Sequence, residues 1–481
     1  MTRPTGVDSE PTLRRRHEKS AAVLIAIAQI LEESDTPDPE TSEFLQIFQW
    51  VTAITPEVFQ EVWQDPSTYH WATVTYELMM AEAGAVPLSE LAAGYRDAAD
   101  PGNLAGVLRS SLAEIRLFAS ACGWISNEHI LFSHPLRLEL PRVLPGTGYS
   151  LQGRGHILLH GFVAGALRVS QPGRDAQDLL PGQSLGFVTW QQDPEVALEG
   201  ARLRLQPALF NLPSMEPQIR SVAYLDDNSQ QAANETLKEA LVLIERYAPD
   251  TFAALREQPI VIAIKNARET DFSNISHSIL PGAFVLTFVP NGPELADSII
   301  HEFHHGLLFA REEDGAFMEP QPYHPHTDYR FYSPWRDEPR PLHGLLHALY
   351  VFGPVARYWL AMHRDSSLTA DLRTYALSQL HAITLRRLLV IDELERHAVF
   401  TPSGRALFEQ QRTNALALHR SAAGIARYGD VPALVCLADG RIETRRDHAS
   451  QKPLSVREWL RQHALAHGAS EAIATLERVA A

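Results

Sequence analysis

The strongest chemical signal in this sequence is a pair of histidines one helical turn apart, in His301-Glu302-Phe303-His304-His305. On a helix, residues at positions i and i+4 lie on one face, so both imidazoles can reach a single ion. Glu302 adjoins the first histidine, where it can meet a metal-bound water or hydrogen-bond a ligand. His304 is one position from His305 and points elsewhere. The spacing predicts a divalent-metal site rather than a helix with solvated histidines.

A catalytic metal site needs a third protein ligand, whose position separates the classes of HExxH protein. The metzincin zinc proteases have Gly and His where this chain has Leu308 and Arg311, so that subclass is excluded. Two sources of the third ligand stay open. His343 and His347 repeat the i and i+4 spacing on a second predicted helix, and of these two we favour His347. The other source is a run of acids, a pattern more often found in solvated loops: Glu312, Glu313, Asp314 and Glu319.

Hydrophobic patterning predicts the elements that must position these residues. Pro259–Ile264 is a continuous apolar run, which is typical of a buried strand, and Phe284–Val289 predicts another. Pro290–Pro293 turns the chain, and a helix is predicted from Glu294 onward. Residues 311–339 are rich in Pro, His, Asp and aromatic residues. They predict a long loop, a kind of segment that is commonly functional.

The whole chain predicts an α+β fold, predominantly helical, in four sections. Residues 1–130 form an N-terminal helical domain, and residues 131–228 form a small β-rich section. Residues 229–370 hold a zincin-like core of strands and the HExxH helix, and residues 371–481 form a helical C-terminal region. Ser221–Asp226 suggests one further strand. The helical signals are Ala21–Leu31, Phe44–Val51, Leu104–Phe118, Leu372–His397, Gly404–Tyr428 and Val456–Val479.

Composition restricts the partners and the compartment. The chain has 481 residues, more than one ordinary core accommodates. Lys+Arg is 42 and Asp+Glu is 58, a net charge of −16 that disfavours nucleic acids and anionic membranes. Cys122 and Cys436 match no CxxC pattern, which argues against a disulfide framework or a structural zinc cluster. No run is long and apolar enough to span a bilayer, and Ala21–Leu31 lacks a cleavage site, so we expect a cytoplasmic protein.

A second stretch carries a more specific pattern. Tyr332–Leu342 reads YSPWRDEPRPL and runs into Gly344–His347. Together with His301–Gly306, it resembles the HExxH-motif family of peptide-modification proteins. The likeness extends upstream to Phe272–Asn274 and Pro281–Ala283. Members of that bacterial family accompany ribosomally made peptide natural products and are understood as iron(II), α-ketoglutarate-dependent peptide β-hydroxylases.

The resemblance implies three protein ligands on iron(II) in a facial triad, which leaves three positions for α-ketoglutarate and O2. His301 and His305 would be two of the ligands. His347 would complete an all-nitrogen triad, or an acid from residues 312–319 would give the usual carboxylate variant. The implied substrate is a precursor peptide, hydroxylated at Cβ of a side chain. The matching motifs lie within residues 270–365.

The same resemblance implies a cation for the far carboxylate of α-ketoglutarate, which normally takes a bidentate guanidinium. Arg336 and Arg340 are the candidates, and Arg340 is preferred because it would share a helix face with His347. For Arg336 the alternative is an ion pair with the adjacent acids Asp337 or Glu338.

Two residues would have different roles in different functions. In a hydroxylase Glu302 would order water or support a ligand, whereas in a zinc-dependent metallopeptidase, the commonest meaning of HExxH, it would be the general base. Trp335 would wall the site or pack under the loop, which is the more common fate of a tryptophan. A third function is a non-catalytic, metal-stabilised scaffold that binds a peptide. A structural metal site is usually closed by four Cys or His ligands, and no cysteine is near.

Overall fold

The structure is a computed structural model that describes most of the chain. The described residues are 22–23, 25–30, 32, 39–53, 65–82, 116–145, 147–207, 209, 227–257, 260–266, 274–278, 280–319 and 331–479. They are 54% helical and 22% strand, which confirms an α+β fold in which helix predominates. The strand predicted at Ser221–Asp226 lies outside the described residues.

Helices make up the described part of the first section, as the spacing of its apolar residues predicts. Helix α1 is Pro39–Ala53 and helix α2 is Pro66–Glu82. Residues 116–126 are also helical, and the rest of the predicted Leu104–Phe118 helix lies outside the described residues. These helices share one apolar core, which includes Ile27, Val51, Trp71, Phe118 and Cys122.

A curled antiparallel sheet follows the helices. Its two longest strands, β1 (Ile130–Leu144) and β2 (Tyr149–Val163), pair with each other along most of their length. On its other side β2 pairs with two short strands, β3 (Ala166–Ser170) and β5 (Val188–Gln192), and β4 (Gln177–Leu179) pairs with β3. The sheet lies within the section predicted to be β-rich, and it curls around its own apolar interior.

A second sheet lies under the HExxH helix. It contains β6 (Glu195–Leu198), β7 (Ala201–Leu205), β8 (Ile260–Asn266), β9 (Ile275–Ser276) and β10 (Ala283–Phe288), in the order β6-β7-β8-β10-β9. The three central strands are parallel, and the two outer strands are antiparallel to their neighbours. The predicted strands β8 and β10 are confirmed. Strands β6 and β7 come from the β-rich stretch of the sequence. They nevertheless belong to this sheet, since β7 pairs in parallel with β8.

Helices cover this sheet and form the C-terminal part of the chain. They are α3 (Asp227–Tyr247), α4 (Pro249–Leu255), α5 (Gly292–Glu312), α6 (Leu342–Arg364), α7 (Ala370–His397), α8 (Pro402–Ile425), α9 (Val456–Ala466) and α10 (Ser470–Val479). The single helix predicted over Val456–Val479 is thus two helices, because Gly468 adopts a φ of +64° between them. An unpredicted hairpin, β11 (Leu434–Cys436) and β12 (Ile442–Thr444), precedes them. Among the described residues, no helix has the length and apolarity needed to cross a membrane.

Helix α5 carries the HExxH motif, and local sequence fixes where it starts. The side chain of Asn291 accepts a hydrogen bond from the backbone N–H of Glu294 at 3.2 Å, and Pro293 occupies the first turn. One face of the helix is buried in the main core through Leu295, Ala296, Ile299, Ile300 and Phe303. The motif histidines are therefore held by a helix that cannot rotate without exposing this apolar face.

Helix α6 contains Pro354, which cannot donate a backbone hydrogen bond within the helix. The buried guanidinium of Arg387, on α7, lies against this region. Its Nε donates to the carbonyl oxygen of Leu349 at 3.1 Å, and its Nη2 donates to Oε1 of Gln411 on α8 at 3.3 Å. The side chain has room because Gly353 lacks a Cβ, which would lie 3.2 Å from Nη2. These bonds anchor the middle of α6 to α7 and α8.

The chain after α5 is held by a close approach to the start of α8. A Cβ on Gly404 would lie 1.7 Å from the carbonyl oxygen of Phe317, whereas a Cβ on Gly424, near the other end of α8, would meet nothing within 4 Å. We therefore expect Gly404→Ala to lower the free energy of unfolding by about 1–3 kcal/mol through overpacking. Gly424→Ala is the matched control and should be neutral or stabilise by about 0.4–1 kcal/mol. Urea denaturation of both variants measures this, and equal stabilities would contradict the close contact.

Candidate metal centre

Two of the predicted metal ligands, His305 and His347, meet across two helices, and His301 lies one turn from His305. On α5, the rings of His301 and His305 lie 4.8 Å apart, centre to centre. On α6, Nδ1 of His347 lies 3.1 Å from Nδ1 of His305. Metal–nitrogen bonds of about 2.0–2.1 Å place two adjacent ligand nitrogens about 2.8–3.4 Å apart. The His305–His347 pair therefore has the separation that two ligands of one ion require.

The two open sources of a third ligand meet at this site. Oε1 of Glu312, the last residue of α5, lies 3.1 Å from Nε2 of His347 and 2.5 Å from Nε2 of His343. A carboxylate can only accept, so Nε2 of His347 is the protonated nitrogen. The lone pair of its Nδ1 then faces His305. Among the described residues, two groups of three have ligand atoms within 4.8 Å of one another. Glu312, His343 and His347 form one of them, whereas His301, His305 and His347 are not that close together.

Burial sets the protonation of these groups. Burial, and then the positive charge of Arg336, lowers the pKa of His301 to about 3. Burial lowers the pKa of His305 well below its usual value and that of His347 in the same direction. Burial by itself would raise the pKa of Glu312, but hydrogen bonds from His343 and His347 outweigh it and lower that pKa to about 2. The imidazoles are thus neutral, the form in which histidine binds a metal.

Glu302 lies on the side of α5 that faces strand β9. Its side chain is only 4% exposed, and its carboxylate accepts a hydrogen bond from the side chain of Ser276. Burial raises the pKa of Glu302 to about 7, although that hydrogen bond and the charge of Arg336 act in the opposite direction. Glu302 and Ser276 line a narrow cleft between α5 and the β9–β10 turn, together with Gly282, Phe284 and Gly306.

Aromatic rings enclose the histidines on two sides. Phe352 of α6 packs against His301 with ring centres 4.6 Å apart, and Trp335 stacks on the other face of Phe352 at 4.5 Å. Phe309 packs against His305 at 6.0 Å and His347 at 5.0 Å. Trp335 therefore packs against the ring that contacts His301, and so supports the wall of the site from behind.

The two candidate arginines occupy different places. Arg336 is exposed on the loop before α6, close enough for its charge to lower the pKa values of His301 and Glu302. Arg340 is not on the helix. It exchanges backbone hydrogen bonds with Phe331 at 2.6 and 2.9 Å, and α6 starts only after Pro341, so the shared helix face expected for Arg340 and His347 does not exist.

Arg336 also lacks the ion pair that was its alternative role. Within the described residues, no ion pair joins Arg336 to Asp337 or Glu338.

His304 does point away from the site, as its position predicts, and lies 3.1 Å from the hydroxyl of Thr251. Of the other acids after α5, Glu313 accepts a hydrogen bond from Tyr69 of α2 at 2.9 Å.

Three features of the site have no signal in the sequence. Ser276 and Phe352 reach the site only through tertiary packing. A buried acid pair also lies one to two turns before His301 on α5. Asp297 accepts a hydrogen bond from the indole N–H of Trp359 at 2.6 Å, and Glu294 accepts one from the hydroxyl of Tyr375. Burial raises the pKa of both acids, and for Asp297 the neighbouring Glu294 adds to the effect.

Neither the protein-family models nor the curated proteins include a match to this sequence. The function must therefore be inferred from the geometry of the site and the motif resemblance.

The contact between Nδ1 atoms predicts which α6 histidine binds the metal. We expect His347→Gln to lose iron after anaerobic reconstitution with Fe(II), because His347 is the α6 histidine that faces His305. His343→Gln is the matched control, since His343 lies one turn away with a half-exposed side chain. It should retain the wild-type iron content. Metal analysis of the gel-filtered proteins measures both, and equal iron in the two variants would show that the third ligand is elsewhere.

The buried acid pair predicts a pH dependence of stability. Because the pKa of Asp297 is raised in the folded protein, its contribution is fully present below the ordinary carboxyl pKa and is lost as pH rises toward the raised value. Asp297→Asn removes that loss while keeping an acceptor for Trp359. We expect the fall in thermal-unfolding midpoint between pH 6 and pH 8.5 to be smaller in this variant. Asp175→Asn, on an exposed turn, should keep the wild-type fall; an identical fall in all three proteins would disprove the raised pKa.

Proposed function

We propose that this chain is an iron(II)/α-ketoglutarate-dependent oxygenase that hydroxylates a side chain of a ribosomally synthesised peptide in the cytoplasm. The observation that carries the proposal is the 3.1 Å separation of the Nδ1 atoms of His305 and His347, with His301 one turn away. Three neutral imidazoles on two helices would leave three sites on an iron ion open for cosubstrate and O2. Bound iron would supply O2 activation coupled to oxidation of α-ketoglutarate.

Arg336 is the residue that we assign to the far carboxylate of the cosubstrate. Its guanidinium is exposed and acts electrostatically on His301 and Glu302, whereas the backbone of Arg340 is tied to Phe331. A planar guanidinium binds a carboxylate with two parallel hydrogen bonds, which also fixes the direction of the bound molecule. In this arrangement the keto-acid end would face the histidines and the far end would face the loop.

Glu302 fits a positioning role better than that of a hydrolytic base. Its carboxylate is buried and accepts a hydrogen bond from Ser276, so it already has a partner on strand β9. We assign it to holding the end of β9 against α5. The cleft that Glu302 shares with the β9–β10 turn would then keep its shape while substrate binds.

The sheet supports a peptide as the substrate. In the described part of the sheet, β9 pairs only with β10 and is antiparallel to it, beside the HExxH helix. An extended peptide can add to such an edge through backbone hydrogen bonds, with side chains alternating toward the protein. We propose that this antiparallel edge strand and the HExxH helix belong to a zincin-like core.

One observation favours a zinc-dependent metallopeptidase as the second candidate. Burial raises the pKa of Glu302 to about 7, near the value at which a general base works best at neutral pH. With zinc on the same histidines, Glu302 would take a proton from the attacking water. A carboxylate has several acceptor positions, so Glu302 could accept from this water while it keeps its bond with Ser276.

The cosubstrate provides a direct test of the leading proposal. Under anaerobic conditions the Fe(II) protein should develop a weak visible charge-transfer band when α-ketoglutarate is added, and succinate should form when O2 is admitted. Arg336→Gln should raise the apparent dissociation constant for α-ketoglutarate by about tenfold or more, because a charged bidentate contact is lost. Arg340→Gln, the matched control, should leave that constant close to the wild-type value.

Glu302→Gln separates the two candidates. In the hydroxylase it should retain the charge-transfer band, since glutamine can still bond to Ser276. If the protein as isolated holds only zinc, gives no band with Fe(II) and α-ketoglutarate, and cleaves peptides in a manner abolished by Glu302→Gln, it is a peptidase. If Arg340→Gln raises the dissociation constant for α-ketoglutarate more than Arg336→Gln does, only the assignment of the arginine is wrong.

A further inference from the structure

A second cluster of metal-type ligands lies at the end of α9, away from the HExxH motif. His463 and His467 are at positions i and i+4, and Asp337 faces them from the loop before α6. Ligand atoms of the three residues lie within 4.8 Å of one another. Nε2 of His463 is 3.7 Å from Oδ1 of Asp337, and the two imidazole rings are 4.4 Å apart. The side chain of Asp337 is 95% exposed, so this is a surface site.

The first histidine of the cluster is already oriented by a neighbour. The hydroxyl of Tyr332 lies 2.8 Å from Nδ1 of His463 and satisfies that nitrogen. The other ring nitrogen, Nε2, therefore faces the carboxylate of Asp337. Metal-binding histidines usually have such a partner on the second nitrogen, which fixes the direction of the ring.

The contacts of His467 give a second indication, independent of the ligand spacing, that this cluster binds a cation. Its Nδ1 lies 2.8 Å from the carbonyl oxygen of His463, and its Nε2 lies 2.9 Å from the carbonyl oxygen of Asp337. Both partners are acceptors, and a neutral imidazole has only one N–H to donate. One of the two contacts therefore sets a nitrogen lone pair against an oxygen lone pair, unless a cation or a second proton relieves it.

We propose that His463, His467 and Asp337 form a second metal site, which binds zinc. Magnesium and calcium prefer oxygen ligands, whereas two imidazoles and a carboxylate match the ligand set of zinc. Nε2 of each histidine and the Asp337 carboxylate supply three ligands. The fourth position falls to water or to the Asp337 carbonyl oxygen that now opposes His467.

Nearby arginines limit the affinity of this site without blocking it. The guanidinium groups of Arg386 and Arg445 lie over the ring of Trp459, at 4.6 and 4.3 Å from its centre. Their cations are thus directed at an aromatic face rather than at the ligand atoms. Their charge lowers zinc affinity relative to an isolated site of the same ligands.

Zinc at this position would connect the end of α9 to the loop that carries Arg336, the residue next to Asp337. It would fix the backbone on which the arginine stands, in addition to the bond from His467. The proposal does not depend on the activity proposed above, because none of its ligands belongs to the HExxH centre.

The test is a zinc titration of the full-length chain, followed by competition with a chromogenic chelator. A His347→Gln background removes a ligand both from the main centre and from the Glu312–His343–His347 group. In that background, Asp337→Asn should weaken zinc binding by at least about tenfold, whereas the neighbouring Glu338→Gln should not change it. Both positions are exposed, so neither change should disturb folding. His467→Gln should abolish binding, and His448→Gln, an exposed histidine elsewhere, should leave it intact.

Two results would overturn the proposal. The first is equal zinc affinity in Asp337→Asn and Glu338→Gln. The second is unchanged binding in His467→Gln. Failure of the main centre to bind iron would leave both comparisons valid, so the two proposals can fail separately.

Discussion

The hydrogen bond between Glu312 and His347 joins the two helices on which the site depends. Glu312 ends α5 and His347 lies in the second turn of α6, so one carboxylate fixes both the distance between the helices and the tautomer of the histidine. Because Nε2 of His347 donates to Glu312, only its Nδ1 is free to face His305. Glu312 is one of four acids that the sequence offered as a ligand; in the structure it hydrogen-bonds a candidate ligand and belongs to a group that could itself hold a metal.

Burial disfavours charge on much of the inner face of α5, although Glu312 at its end stays ionised. The pKa values of Glu294 and Asp297 are raised by burial, and those of His301 and His305 are lowered by it. A divalent cation bound by neutral imidazoles would therefore retain most of its charge within a poorly solvated site. An anionic cosubstrate balances that charge better than water does. This balance is a physical reason for preferring α-ketoglutarate binding over simple hydrolysis in the proposed function.

The sequence predicts those parts of the fold that rest on local patterning. The two apolar runs became β8 and β10, and the turn at Asn291 with the helix after it became α5, because caps, prolines and apolar spacing act over a few residues. The prediction that Arg340 lies on the same helix as His347 was wrong, because Arg340 forms a backbone bridge with Phe331 and the helix begins after it.

Contacts between distant segments could not be predicted in the same way. Ser276 meets Glu302, and Phe352 meets His301, only because a sheet and two helices pack together. The pairing of β6 and β7 with β8 is also non-local, and no periodicity within a strand identifies its partner. Spacing on one helix could be used to infer His301 and His305, but the choice of Glu312 among four acids required the packed structure.

The parallel pairing of β7 with β8 has a consequence for the order of folding. Parallel neighbours cannot form as a hairpin, and here the whole of α3 must be accommodated between them before the ladder closes. Helix α5 packs on that sheet, and the His305–His347 contact joins α5 to α6, so the ligand set is complete only when the sheet and both helices are in place. An ion that recognises this arrangement would bind the finished fold and not the unfolded chain, and would slow its opening by mass action.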